Sequence, residues 1–144
     1  MERPKIAMIG AGSLVFGQTL VQDILATEAL QNAELRLMSR TKPKLDRMND
    51  FVKRVIRDNR LPATVSATLN RREALDGVDY IILMMQVGGM KAFGLDLEIP
   101  LKYGVDQCIG DSMGPGGIFR GLRTVPLLQE VVRAAEALCP HAVS

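Results

Sequence analysis

The sequence predicts an α/β fold, a doubly wound parallel sheet in a three-layer α/β/α arrangement, with the sheet incomplete at its C-terminal side. Three observations carry this expectation. Short apolar runs alternate with amphipathic stretches in the order strand, helix, strand, helix, strand, short helix, strand, helix. The first and fourth of the strand runs end directly in glycine turns. Right-handed crossovers between parallel strands then place the strands in the order third, second, first, fourth.

Ile6, Ala7, Met8 and Ile9 form an unbroken apolar run, as expected of a parallel strand covered on both faces. Gly10-Ala11-Gly12 breaks it. Leu14, Leu20, Val21, Ile24 and Leu25 then recur at helical spacing, with Gln18, Gln22 and Asp23 on the other face, giving a first helix that ends near Glu28. Leu35, Leu37 and Met38 make a short second strand that stops at Ser39-Arg40-Thr41-Lys42. Leu45, Met48, Phe51, Val55 and Ile56 mark a second amphipathic helix. Its outer face carries Lys44, Arg47, Lys53, Arg54, Arg57 and Arg60, interspersed with Asp46, Asp50 and Asp58, which reads as a solvated face and not a nucleic-acid surface.

Ala63, Val65 and Ala67 alternate with Thr64, Ser66 and Thr68, the pattern of a sheet-edge strand. Asn70 and Glu73 have capping-box spacing for a short helix to Leu75, closed by Asp76-Gly77. Tyr80 to Met85 is the most hydrophobic strand and is expected at the sheet centre, running into a second glycine turn, Gln86-Val87-Gly88-Gly89. From Met90 to Tyr103 the pattern is mixed, and Pro100 limits any helix. Gln107-Cys108-Ile109 reads as a short extended piece, and Gly110 to Gly117 as a loop too rich in glycine for an element interior. Ile118, Leu122, Val125, Leu128, Val131, Ala135 and Leu138 give a long apolar stripe, which Pro126 should kink or restart with Thr124 as cap. Pro140 stops it, and His141 to Ser144 reads as the opening of another strand.

The stretch Lys5 to Gly17, KIAMIGAGSLVFG, organises the rest. A strand, a glycine turn and a helix start place helix N–H donors and partial positive charge where an anion can sit, the arrangement of a Rossmann-like dinucleotide site. The full GxGxxG fingerprint would have a glycine at position 15, where this chain has Val15, and Gly17 falls two places late, which predicts looser packing of helix on strand. Glycine turns between strand and helix also occur without a ligand.

The 144 residues suit one domain, 1–144, with no linker. A net charge of +2 points to neither nucleic acid nor an acidic partner, and the apolar runs are too short to span a bilayer. Four residues before the first strand leave no room for a signal peptide, and Cys108 and Cys139 form neither a CxxC pair nor a disulfide scaffold, so a cytoplasmic location is the expectation. Methionines such as Met48, Met84 and Met85 read as packing. Arg120 and Arg123 either anchor the glycine loop or face an anion, with anchoring preferred.

Four segments together resemble glycoside hydrolase family four: KIAMIGAGS with Phe16, QVGG at Gln86 to Gly89, IPLKYGV at Ile99 to Val105, and IGDSMGPGGIFRGLRT at Ile109 to Thr124. The IGD form at Ile109 to Asp111 resembles the α-galactosidase, α-glucosidase and α-glucuronidase branch. The resemblance implies an NAD-dependent glycosidase that also needs a divalent metal of the manganese type, in which the cofactor transiently oxidises the sugar C3 hydroxyl and the leaving group departs by elimination, outside the two-carboxylate scheme. It further implies that Gly10, Gly12 and Ser13 hold the pyrophosphate, with Ala11, Leu14, Val15 and Phe16 completing the cofactor-binding stretch. Gln86, Val87, Gly88 and Gly89 would line the ribose and nicotinamide side, and Asp111 would face the sugar. The family's cysteine and histidine metal ligands have no match in this chain, so the expectation is a cofactor domain without its catalytic and metal-binding half. His141 reads as a surface residue.

At the tip of the second strand the chain departs from the family's usual Asp. Ser39, Arg40 and Lys42 stand where a carboxylate would accept from the adenosine ribose, a set that favours NADP over NAD because Arg meets phosphate in bidentate fashion. The same residue types also serve as a polar turn capping the second helix through Thr41. A structural or interaction module without cofactor, pairing as a homodimer through an uncovered strand edge, is the alternative. An independent small dehydrogenase lacks an acid–base constellation.

Overall fold

The computed structural model describes residues 3–12, 14–107 and 113–143, so the expectations at Ser13, Cys108 to Asp111 and Ser144 lie outside the described residues. The chain divides into two compact units, Met1–Met84 with Ala134–Ser144, and Met85–Arg133.

The first unit is a four-stranded parallel sheet with helices, a Rossmann-like α/β fold. Its strands are β1 (Lys5–Ile9), β2 (Glu34–Met38), β3 (Thr64–Thr68) and β4 (Tyr80–Leu83), in the order β3-β2-β1-β4. Ile9 pairs with Met38 on one side and with Leu83 on the other, so three strand tips end level with one another. β1 carries the core, with Ala7 and Met8 wholly excluded from solvent, which is why its sequence is apolar without alternation. The helices of this unit are α1 (Leu14–Ala26), followed by a 3-10 turn over Glu28–Leu30, α2 (Lys42–Asp58) and α3 (Arg71–Leu75). Leu45, Met48 and Val52 recur on one face of α2 and are buried, each worth about 1.5–3 kcal/mol of transfer free energy.

Three expectations for this unit are corrected. β4 is the terminal strand of the described sheet and not its centre. Beyond it, among the described residues, lies an isolated parallel bridge from Tyr80 to Val143, and Tyr80 is 45% exposed. Thr41 is the N-cap of α2, yet its side chain caps nothing, and Pro43 in the first turn fixes the helical backbone instead. Asn70 does cap α3 by accepting from Arg72 N at 3.0 Å, but Glu73 closes no reciprocal box. Its carboxylate accepts from Thr68 Oγ1 at 2.6 Å and Asn70 Nδ2 at 2.9 Å. Those two bonds lower the Glu73 pKa, the Thr68 bond having the larger effect.

In the second unit the segment after the second glycine turn is α4 (Gly89–Lys102), where only a mixed pattern was expected. Pro100 lies in the last turn of α4 and offers no N–H to the carbonyl of Asp96; Gln107 Nε2 donates to that oxygen instead, at 3.3 Å. α5 (Gly114–Leu138) runs unbroken through Pro126, with no restart at Thr124, and takes Gly114-Pro115-Gly116-Gly117 as its first turn. That turn is held from outside, since Gly116 N donates to Gln107 Oε1 at 3.1 Å, and proline near a helix start is preorganised. The apolar stripe of α5 is exposed at Ile118, Leu122 and Val125 and buried at Val131. Among the described residues no helix is long and apolar enough to cross a membrane.

Candidate functional site

The glycine turn after β1 is clamped to the tip of β2. The N–H groups of Gly10 and Ala11 both donate to the carbonyl of Met38, at 2.8 and 2.9 Å. On the other flank, a Cβ on Gly10 would stand 2.0 Å from the carbonyl oxygen of Met84, and Gly10 has φ +93°, so only glycine fits. Gly12 faces the β2 tip as well. Its missing Cβ would lie 2.7 Å from Ser39 Oγ and 3.3 Å from Lys44 Cβ. Gly17 brings α1 onto α2, a Cβ there coming within 3.2 Å of Met48 Cε. The displaced glycine therefore packs helix against helix, a role the spacing of the fingerprint did not reveal.

The structure thus brings Gly10, Ala11, Gly12 and Ser39 together in the first unit. With Gly10 and Ala11 bonded to Met38, the donors open to an anion are those of the first turn of α1, which no intrahelical carbonyl can reach. Leu14, Val15 and Phe16 open that helix, Phe16 is 71% exposed, and the first turn carries no acidic residue to repel an anion.

Ser39 is 7% exposed and its Oγ accepts from Thr41 N at 3.3 Å, so the side chain lies inside the unit and steadies the entry to α2. Arg40 is exposed. Lys42 is turned to Asp46, with Nζ to Oδ2 at 2.8 Å on the surface. Lys44, which sequence reasoning counted only among the outer cations of α2, starts beside Gly12. Its position three residues after the N-cap Thr41 is the signal that could have found it.

Gln86 to Gly89 belong to the second unit. Gly89 N donates to Gln86 O at 3.3 Å, and Gly88 and Gly89 both have positive φ, +84° and +60°, leading into α4 with Gly88 as N-cap. Asp96, buried to 1% exposure within α4, receives Arg123 in fork geometry, Nη1 to Oδ1 at 2.8 Å and Nη2 to Oδ2 at 2.5 Å. The Arg123 hydrogen bonds hold the Asp96 carboxyl below its ordinary pKa against the opposing effect of burial. Arg123 is an anchor, as the sequence reading preferred, although its partner is α4 and not the glycine loop. Asp96 escaped notice as an acid on the same helix face as the buried Pro100.

Among the described residues no group of three or more His, Cys, Asp or Glu could hold a metal ion. His141 is exposed. Cys139 is buried, and burial first, then the nearby Asp76 carboxylate, pushes its thiol pKa up, away from the thiolate form.

The family described as "Family 4 glycosyl hydrolase" matches residues 5–144. The α-galactosidase of Rhizobium meliloti (strain 1021) is 44% identical over 124 residues, 86% of this chain and 25% of that protein. The α-galactosidase of Bacillus subtilis (strain 168) is 39% identical over 140 residues, 96% of this chain and 32% of that protein. Among solved structures, the 6-phospho-β-glucosidase from Thermotoga maritima with manganese, NAD+ and glucose-6-phosphate superposes with a TM-score of 0.82 at 30% identity, covering 92% of this chain and 32% of its own. The chain therefore spans a quarter to a third of the length of the curated relatives it matches.

Proposed function

The chain belongs to the family 4 glycosyl hydrolases, and on that premise we propose that it is the dinucleotide-binding part of an NAD(P)- and divalent-metal-dependent glycosidase. One observation supports this above the others: the Gly10–Gly12 turn, bonded twice to the end of β2 and closed to any side chain at Gly10, leads into a helix whose first turn carries no acid. Such a turn at the carboxyl end of the strand where the sheet order reverses suits a pyrophosphate. The residues present fit the cofactor. The bound nicotinamide supplies a hydride acceptor for oxidation of a sugar hydroxyl; the chain's own part is to bind and orient it.

In this reading Gly12, Ser13 and the first turn of α1 hold the pyrophosphate. The β2 tip takes the adenosine ribose, Gln86 to Gly89 the nicotinamide side, and Asp111 the sugar. The finer reading is NADP over NAD. A carboxylate at the β2 tip would oppose a 2′-phosphate by about 4 kcal/mol per pair of unit charges at ~4 Å and an effective dielectric of ~20. Here the tip has buried Ser39, which brings no charge, followed by exposed Arg40. The divalent metal belongs to the family enzyme as a whole, and the 144-residue chain by itself binds cofactor without hydrolysing glycosides.

Thermal shift with each dinucleotide tests the reading, because a ligand that binds only the native state must raise its stability. Stabilisation by both, with NADP the stronger, is expected. No shift with either ends the cofactor reading; equal shifts or a stronger NAD effect end the NADP preference. Release of an aryl leaving group by the purified chain would contradict its inactivity alone. A second reading is an interaction module that keeps the fold without using the cofactor and pairs with a second copy along β4. A monomeric mass in light scattering opposes it.

A further inference from the structure

We infer that Arg123, locked by Asp96, is a positioning residue that sets the Gly88 turn and with it the grip of the chain on the nicotinamide half of the dinucleotide. The inference rests on the reading that a dinucleotide binds, and deepens it.

Gly88, Ala92 and Asp96 are spaced by four residues and so share one face at the start of α4. The first two are the smallest side chains available, and Asp96 leans toward the N-terminus of its helix as helical side chains do. A Cβ on Gly88 would stand 2.4 Å from Ala92 Cβ and 3.6 Å from Arg123 Nε. The guanidinium therefore lies along this face, with its two terminal nitrogens on the Asp96 carboxylate and its Nε beside Gly88.

That Nε–H is buried and has no hydrogen-bond partner among the described residues. A buried unpaired donor is unfavourable until an acceptor reaches it, so the position of the guanidinium and that of the adjoining turn are coupled. Asp96 cannot drift away, because it is nearly inaccessible and its own carbonyl is tied by Gln107, which also holds Gly116 N at the start of α5. The result is a bracket of side-chain bonds in which Arg123 ties α5 to the N-terminal half of α4 beside Gly88.

The test compares NAD with ADP-ribose, which lacks only the nicotinamide, by calorimetry on the 144-residue chain, with unfolding temperature recorded without ligand. Arg123→Lys keeps the charge and loses the fork. The double variant Asp96→Asn with Arg123→Gln removes both charges, so no unpaired ion is left buried if the single variant folds poorly. The expected result for either is NAD affinity lowered about tenfold with ADP-ribose affinity within about twofold of the parent, the span of one charge-assisted hydrogen bond. Unchanged NAD binding would overturn the inference, and so would a parallel loss of both ligands with a lowered unfolding temperature, which is what a merely structural pair would give. A parent chain that binds neither ligand would instead remove the cofactor reading beneath it.

Discussion

Replacing Gly10 by alanine should be among the most damaging single-methyl changes in this chain. Its Cβ would meet the Met84 carbonyl oxygen at 2.0 Å, where real Cβ contacts stay above 3.0 Å, so the tips of β1 and β4 must part by about an ångström. That movement strains the Met84 N to Ile9 O bond, now 2.8 Å, and the paired bonds to Met38 O. Holding an L-residue at φ +93° adds about 1–2 kcal/mol, and one weakened ladder bond about 1 kcal/mol more, for a total of about 2–3 kcal/mol. Gly77 is the matched control. It has φ +60° with nothing within 4 Å of its missing Cβ, so Gly77→Ala carries only the backbone cost of about 1 kcal/mol. At roughly 2–4 °C per kcal/mol for a chain of this size, thermal unfolding followed by circular dichroism should fall by about 10 °C for Gly10→Ala and about 3 °C for Gly77→Ala. Equal losses would refute the close approach of the turn to β4.

Three further outcomes follow from the same contacts. Arg40→Ala, at an exposed position, should weaken NADP about tenfold and leave NAD within about twofold in calorimetric titration. Thr41→Ala should change the urea midpoint little, because the hydroxyl caps nothing, whereas Asn70→Ala should lose about 1 kcal/mol with its bond to Arg72 N. The Asp96 and Glu73 carboxyls are both held below their ordinary pKa in the native state, Asp96 by the Arg123 hydrogen bonds and Glu73 by those of Thr68 and Asn70. Their unfolded forms therefore take up protons first, so their stabilisation is complete above the ordinary carboxylate range and is lost as pH falls through it. Urea midpoints measured from neutral pH down to about pH 3 should decline, and Asp96→Asn should flatten that decline.

The sheet was legible because its signals are local and agree. Ile6 to Ile9 could only be a strand covered on both faces, and the apolar runs at Leu35 and Tyr80 fix a parallel order once crossovers are right-handed. Elements that depend on distant partners were not legible. Pro100 argues against a helix until Gln107, seven residues on, is seen to satisfy the carbonyl it leaves open. The glycines at 114, 116 and 117 argue for a loop until the same Gln107 is seen to hold the first turn of α5. The hydrophobicity of β4 suggested a central strand, whereas among the described residues it stands at the end of the order β3-β2-β1-β4. At the candidate site the glycine turn and the missing carboxylate at Ser39 were readable. The contact of Gly12 with Ser39 and Lys44, and the Asp96 anchor for Arg123, join residues distant in the chain and leave no periodicity.

Hydrogen exchange with and without NAD tests most directly whether the pyrophosphate rests on the Gly10–Gly12 turn. Peptides covering residues 10–20 and 38–46 should exchange more slowly when the cofactor is present, because the open donors of the first turn of α1 and the tip of β2 become engaged. Protection confined to the outer face of α2 beyond residue 46, or to α5 alone, would contradict it.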